Sequence, residues 1–579
     1  MTETATTDVL IIGSGPMGAT TGLALARAGV RVHMISRYRW VANTPRAHIT
    51  NQRAMEVLRD LGAARRVEAA GSGWSTMGDT LFTTSLAGPE IARIRAWGTG
   101  DNEHGRYVRA SPEPMVDVPQ PQLEAELVAA ALESGATCEF NVEYLDHTQD
   151  ETGVTTRVRN RLTGEVTQWR SAFLVGADGA RSKVSHDIGL NVEGTMGRAS
   201  TMYVQFTADL SRYVEHRPSI LYWILSSVGA YGEIGMGLLR AVHPWSEWIA
   251  GWGIDPEGPE PDASPAALVA KIRELVGDPE LQPEIVRTST WQVNEAYAST
   301  LSRGRVFLGG DAIHRHPPSG GLGSNTCIQD AFNLGWKLAL VIQGRAGAAL
   351  LDSYTAERAP IAEQIVTRAN ASRRDFQLMR DALAPFSDPV TAAAELAGSA
   401  SNRAIEARAA LHRAVDVKHY EFNAHGVELN QCYRSDAILG SSESSESSMD
   451  EELIALSVCE PGRKLPHAWL VGADGTRVST LDLVGSNRFT LLTGPAGRAW
   501  VEAAGKEDPA LLRVVVVGQP HAQDLYFEWA KLRPTSEAGA ILVRPDGYVA
   551  WIAESPDDPE SGAGALTAAL DSILARRSS

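Results

Sequence analysis

The chain has 579 residues, a formal net charge of −17 and 44% hydrophobic residues. That length supports two or three domains with sizeable cores, and the acidic balance argues against nucleic acid or an anionic membrane surface as a partner. The four cysteines, Cys138, Cys327, Cys432 and Cys459, form no close pair and suggest neither a metal site nor a disulfide framework.

Met1 to Thr7 is short and polar and leads straight into an apolar run. It does not read as a signal peptide, and no apolar run approaches the roughly 18 residues of a membrane span, so a cytoplasmic chain is expected. Asp8 to Ile12 reads as a buried strand, Gly13-Ser14-Gly15-Pro16-Met17-Gly18 as a turn, and the Ala/Leu-rich stretch ending near Gly29 as a helix. Gly13 allows the tight turn, Gly15 lets the backbone approach a pyrophosphate, and Gly18 lets helix and strand pack closely. A second strand is expected at Arg31 to Ile35. It runs into Ser36 and Arg37 where an acid usually binds the adenosine ribose; a serine can still hydrogen-bond a hydroxyl, and Arg37 can lie over adenine or near phosphate. This motif alone does not separate FAD from NADP.

The loop that follows carries Arg46, His48 and Asn51 within the string Pro45 to Arg59. Residues 76–105 read as irregular and directed to a substrate side, and Met115 to Gln120 holds Asp117 just before a helix. Phe173 to Val184 is again a strand running into a turn, centred on Asp178, and a helix. In 196–297 strands are expected at Thr201 to Ala208, Ile220 to Ser226, Glu233 to Leu239 and Trp248 to Ile254, a mostly antiparallel sheet suited to form a substrate wall.

Val306 to Leu308 reads as a strand, Gly309 to Asn325 as an acid followed by a Pro/Gly loop, and Thr326 to Ile342 as a helix. Amides at such a helix start can stabilise an anion, and Asp311 can accept hydrogen bonds from a polyol such as a ribityl chain. Residues 371–415 look helical, and Ser441 to Ser448 is a polar low-complexity tract expected as a mobile loop. From 464 a separate α/β unit is expected, with strands at Phe489 to Leu492, Leu512 to Val517, Gly539 to Arg544 and Val549 to Ile552. No cysteine follows Cys459, so Cys-x-x-C redox chemistry is excluded there.

The motifs around Gly13, Asp178 and Asp311, with the strings Pro45 to Arg59 and His425 to Gln431, resemble the single-component (class A) FAD-dependent aromatic hydroxylases of the phenol hydroxylase-like group. The resemblance covers nearly the whole chain. It implies an α/β protein with a Rossmann-like, p-hydroxybenzoate hydroxylase-type FAD-binding domain (1–75, 106–195 and 298–395) and an antiparallel-sheet substrate domain (76–105 and 196–297). A helical linker with the Ser/Glu loop (396–463) and a thioredoxin-like domain without Cys-x-x-C (464–579) complete the expected organisation. It further implies bound FAD, NADH or NADPH as a transient co-substrate, O2, a small phenolic substrate and a homo-oligomer, dimer or tetramer. The expected FAD contacts are Gly13, Gly15, Pro16, Gly18, Ser36, Arg37, Arg46, Gln120, Asp178, Asp311, Pro318, Gly321, Leu322, Gly323 and Asn325. Ser185 stands where the family often has arginine, so that arginine's role does not carry over.

The implied chemistry transfers an electrophilic oxygen, from a C4a-hydroperoxide of the reduced flavin, to a phenol that reacts best as phenolate. Such a site needs a base near the phenol oxygen and walls that exclude water. His48 is the candidate base and Asp117 its supporting acid, fixing the tautomer and raising the basicity of the imidazole. The competing readings are a surface-loop histidine and a helix N-cap aspartate. His314 reads as a structural member of the flavin loop, and backbone amides near Leu322 and Gly323 as donors to the anionic reduced flavin. Trp97, Tyr203, Trp223 and Pro317 are expected at the substrate, and no metal is expected. A polyketide-tailoring hydroxylase, a Baeyer–Villiger or epoxidising monooxygenase, and a flavoprotein with structural or sensory FAD stay open as alternatives.

Overall fold

The computed structural model describes residues 4–190, 192–225, 236–255, 258, 261–440, 448–556 and 558–576. Ser226, residues 233–235 of the expected third substrate strand, and 441–447 of the Ser/Glu tract lie outside the described residues.

Five strands make a parallel sheet in the spatial order Val306–Leu308, Val166–Gly176, Thr4–Ile12, Val32–Ser36 and Thr137–Phe140. Their inner residues are apolar on both faces, as a covered parallel sheet requires; Val9 to Ile11, Leu174, Val175 and Leu308 are fully buried. The register decides where a ligand can sit. Ile12 is the lateral partner of both Ile35 and Gly176, and Gly176 that of Leu308. The loops that leave these carboxyl ends therefore begin side by side, and crevices at such strand ends are the ligand sites of open α/β sheets.

The turn after Ile12 depends on its glycines. Gly13 has φ +113°, and a Cβ there would lie 2.1 Å from the Ala177 carbonyl oxygen. A Cβ on Gly18 would lie 1.9 Å from the Gly13 carbonyl oxygen, whereas one on Gly15 would meet only Glu124 Oε1, at 3.7 Å. The helix Pro16–Arg27 follows and packs on the helix Leu322–Ile342.

The second sheet has eight strands and two different faces. One face carries Met202, Val204, Phe206, Tyr222, Leu239, Trp248 and Ala250, which pack on the helix Pro265–Val276. Register puts Tyr203 beside Gly251, Gly251 beside Leu238, Leu238 beside Trp223, and Arg240 beside Leu221. Side chains alternate across a strand, so Tyr203, Trp223 and Arg240 share the opposite face. The sequence reading missed two parts of this sheet. Residues 76–105 are not irregular: Asp79–Thr83 and Glu90–Arg95 form its edge hairpin, and Asp101–Ala110 is a helix. Glu284–Tyr297 is a 14-residue strand. Its alternation rests on Thr, Ser and Gln, so hydrophobicity gives it little signal.

In the C-terminal unit the strands run in the order Leu512–Val516, Phe489–Thr493, Ala540–Val543, Val549–Ala553, the first pair parallel and the others antiparallel. With the helices Arg498–Ala504 and Pro559–Ile573 this is a thioredoxin-like βαβ–ββα arrangement. Its core includes Trp336 and Leu340 of the long helix of the nucleotide domain, so the two units bury a common apolar surface. Among the described residues, no helix is long and apolar enough to cross a membrane.

Candidate active site

Three loops meet at the carboxyl ends of the nucleotide sheet. In the first, the Gly13 to Gly18 turn leaves open only the position in front of Gly15, bordered by Glu124. Glu124 was not foreseen. It is buried, accepts the Ala42 amide and the Gln120 side chain, both at 2.6 Å, and its pKa is raised by burial. Gln120, expected at the cofactor, thus has its amide engaged by Glu124. Ser36 is buried at the end of the second strand, while Arg37 is exposed and lies over Tyr38, 5.0 Å from its ring centroid.

In the second loop the Asp178 carboxylate accepts the Ser182 hydroxyl at 2.5 Å and the amides of Lys183 and Val184 at 2.7 and 3.2 Å. Asp178 therefore starts the short helix Lys183–Asp187. In the third loop Asp311 is exposed to the crevice, and its carboxyl has no hydrogen-bond partner among the described residues. Enclosing protein still raises its pKa, while His314, Arg315 and Arg46 oppose the shift. Arg46 is exposed and makes no ion pair among the described residues; it donates to Thr44 Oγ1 at 2.9 Å. His314 is fully buried against Asp330 at 3.1 Å, as a structural member of the loop.

Gly320 and Gly321 have φ +76° and +64°, which turns the chain into the helix beginning at Leu322. A Cβ on Gly321 would press on Ile49 at 3.1 Å, so this loop lies against the His48 segment. Asn325 fastens the contact. Its Nδ2 donates to the carbonyls of Ile49 and Gly321, at 2.8 and 2.6 Å, and its Oδ1 accepts the Asn51 amide at 2.9 Å. Both side-chain donor hydrogens are used, so the Asn325 side chain clamps the two loops together. Pro317 is buried, Pro318 exposed and Gly323 half-buried beside His316, which burial pushes down to about 4.

These residues fit a bound dinucleotide such as FAD. The glycine turn leaves one open approach at Gly15, and Asp311 is an acceptor with its hydrogen bonds unspent, as a ribityl chain requires. Gly13, Gly15, Pro16, Gly18, Asp311 and the helix start at Leu322 are the residues that would hold it.

His48 and Asp117 are brought together by a two-stranded ribbon in which Ile49 pairs with Asp117. Both are buried, which removes the surface-loop reading of His48; Asp117 does not cap the helix Gln120–Glu133, whose first residues it precedes. His48 Nε2 lies 3.0 Å from the Pro45 carbonyl oxygen. A carbonyl only accepts, so Nε2 carries the hydrogen and Nδ1 the lone pair. Nδ1 is buried, has no hydrogen-bond partner among the described residues, and lies 3.8 Å from Asp117 Oδ1.

The expected support from Asp117 takes another form. Its carboxylate is ion-paired with Arg240 from the substrate sheet. Burial holds the His48 pKa well below its usual value, and the Arg240 charge pushes the same way. Asp117 is raised by burial against Arg240, and Arg240 is lowered by burial against Asp117. The imidazole is thus less basic than usual, contrary to the sequence reading, because burial disfavours its charged form and the nearby carboxylate is already matched by Arg240. Tyr203 stands on the same face, its hydroxyl pushed up to about 12 by burial.

Trp97 and Trp223 belong to one apolar cluster with Phe82, Met115, Phe376 and Phe422. Trp223 lies 4.5 Å from Phe376 and Trp97 5.5 Å from Phe422, centroid to centroid. Both indole N–H groups are buried with no hydrogen-bond partner among the described residues. Phe376 and Phe422 come from the helices Phe376–Leu383 and His419–Phe422 and had no signal in sequence beyond being aromatic.

Comparisons with known proteins agree with this geometry. A family model described as FAD binding domain matches residues 6–369, and one described as aromatic-ring hydroxylase, C-terminal, matches 459–576. The 2,4-dichlorophenol 6-monooxygenase of Cupriavidus pinatubonensis (strain JMP 134 / LMG 1197) is 45% identical over 100% of this chain and 98% of its own. Phenol 2-monooxygenase of Pseudomonas sp. (strain EST1001) is 43% identical over 97% and 92%. Among solved structures, the flavin-dependent monooxygenase PieE, in complex with FAD and substrate, matches with a TM-score of 0.93 at 40% identity over 99% of each chain.

Proposed function

The chain belongs to the FAD-dependent aromatic-ring hydroxylases, and from that premise we propose that it hydroxylates a phenol ortho to the existing hydroxyl, with His48 accepting the phenolic proton. FAD is its cofactor, with NADH or NADPH and O2 as co-substrates. When bound, FAD supplies the reduction and the activated oxygen, one atom of which enters the ring.

The observation that carries the reading is the buried lone pair of His48 Nδ1, which has no hydrogen-bond donor among the described residues. A phenol O–H can supply the missing hydrogen bond. The depressed pKa keeps the imidazole neutral and ready to accept at neutral pH. Once protonated, Nδ1 faces Asp117 at 3.8 Å, and the nearby Arg240 cation favours negative charge on the phenol oxygen. Tyr203 keeps its proton at neutral pH and can donate to that oxygen. The cluster of Trp97, Trp223 and Phe376 gives a dry aromatic wall. Arg240, on the face that carries Tyr203 and Trp223, is already paired with Asp117, so it is not free to bind a carboxylate; this supports an apolar phenol over a benzoate. The relatives named for phenols match at 43–45% identity across the chain, which favours a simple phenol over a fused-ring polyketide.

The test is a panel of simple and fused-ring phenols, scored for both NAD(P)H consumption and hydroxylated product. Ortho-hydroxylation of a simple phenol with matched NAD(P)H consumption is expected. Product from fused-ring phenols alone would move the assignment to polyketide tailoring, and NAD(P)H oxidation without product from any phenol would refute it.

A further inference from the structure

The tip of the C-terminal hairpin, Arg544-Pro545-Asp546-Gly547, does not stop at the domain surface. Arg544 is fully buried and grips Glu357 with two hydrogen bonds, 2.6 and 2.9 Å, while its Nε donates to Asp546 Oδ1 at 3.0 Å. Asp546 accepts the Trp336 indole N–H at 3.1 Å, and its carbonyl accepts Arg53 at 2.9 Å. Glu357 also takes Lys337 at 2.8 Å and Asn333 at 2.7 Å. Every ion in this group has at most 2% side-chain exposure, Arg53 aside.

Glu357 lies in the helix Asp352–Arg374, and the next residue of that helix leads back to the flavin loop. Arg358 donates to Asp330 Oδ1 at 2.7 Å, and to Gln431 and Tyr433 at 2.9 and 3.0 Å. Asp330 Oδ2 accepts the Gly310 amide and faces His314 Nε2, each at 3.1 Å. Gly310 immediately precedes Asp311. Tyr433 stacks on Tyr548 of the hairpin at 4.0 Å. Asp330, Asn333 and Lys337 line one side of the helix Leu322–Ile342, so both halves of the network rest on the same pair of helices. Buried charges of this kind tolerate few arrangements, because an unpaired member costs its full desolvation.

We propose that the C-terminal hairpin is part of the cofactor-binding apparatus: Arg544 is a positioning residue that, through Glu357–Arg358 and Asp330, holds the Gly310–His314 loop in the conformation that presents Asp311 to FAD. This assigns the redox-inert thioredoxin-like unit a role at the flavin. Coupling between two sites is reciprocal. The hairpin therefore tightens FAD, and FAD tightens the hairpin by the same factor.

Two measurements on the full chain test this, neither using turnover. The first is FAD affinity of the apoprotein by flavin fluorescence, for the parent, Arg544→Met and the exposed control Arg498→Ala. Arg544→Met is expected to bind about 5- to 150-fold more weakly, the usual range for such coupling, and Arg498→Ala as the parent does. A residue that only stabilised the fold would lower Tm and leave the affinity of the folded protein unchanged. The second needs no variant: amide exchange across 540–553, compared with and without FAD, is expected to slow when FAD binds. A folded Arg544→Met with parental FAD affinity overturns the proposal. If that variant does not fold, exchange across 540–553 that is indifferent to FAD overturns it.

Discussion

Arg240 reaches from the substrate sheet to the ribbon that carries Asp117 and pairs with its carboxylate, 3.8 Å from His48 Nδ1 on the same oxygen. The acid that stands beside the histidine is therefore neutralised from across the cleft. The site holds a matched ion pair and a neutral imidazole, rather than a carboxylate–imidazolium couple.

That pair is a stability element as well as a site element. Arg240→Met leaves Asp117 as an unpaired buried acid and is expected to cost ~3–5 kcal/mol. Adding Asp117→Asn removes the stranded charge and should return most of that loss without restoring hydroxylation. Denaturant unfolding of both variants checks this; a double variant no more stable than the single one contradicts the pairing.

For His48→Ala, hydroxylation is expected to slow ~10²–10⁴-fold, the usual range for a lost base, with a much smaller change in substrate binding. Reducing equivalents should then appear as H2O2. Raising the pH toward the phenol's own pKa, about 10 for an unactivated ring, should partly restore product because the substrate arrives ionised. In the parent, the depressed His48 pKa places the acid limb of the rate profile below pH 6.5. Full coupling of NADH to product in the variant at neutral pH would remove His48 as the base.

Gly15 and Gly13 should separate cofactor binding from folding. A Cβ on Gly15 meets no backbone, so Gly15→Ala is expected to fold and lose FAD; Gly13→Ala drives a Cβ to 2.1 Å from a carbonyl and should destabilise the domain itself. Asp311→Ala should fold and weaken FAD by ~1–3 kcal/mol through lost hydrogen bonds. FAD titration alongside thermal unfolding distinguishes the three; an Asp311→Ala protein with parental affinity takes Asp311 out of the site.

Glu428 is buried with Oε2 unpartnered among the described residues, and burial lifts its carboxyl to about 8 from 4.5. Between those values the folded chain keeps a proton that the unfolded chain gives up. Its contribution is therefore fully present below pH 4.5 and is lost as pH rises through 8. Glu428→Gln removes this titration and should be more stable than the parent at pH 9, by an amount on the order of a few kcal/mol, and little different at pH 4.5. Thermal unfolding across that range checks it, and parallel pH profiles for the two proteins would contradict it.

The sequence alone determined what depends on short-range rules. The Gly13 to Gly18 turn, the strand-ending acids Asp178 and Asp311, and the hairpin at Val543 to Trp551 need particular backbone conformations or side-chain periods, and each leaves a local trace. His48 and Asp117 were legible as candidates from their strings. What tertiary structure decided is which charges meet. Arg240 lies 123 residues from Asp117, and Arg544 lies 187 from Glu357. No periodicity records those distances, because the strand register and the docking of the hairpin set them. The strand Glu284–Tyr297 and the edge hairpin at 79–95 were likewise fixed by neighbours: their residues pair as strands because a sheet already lies beside them. The pKa of His48 belongs to the same class, since burial and a cation from another layer set it.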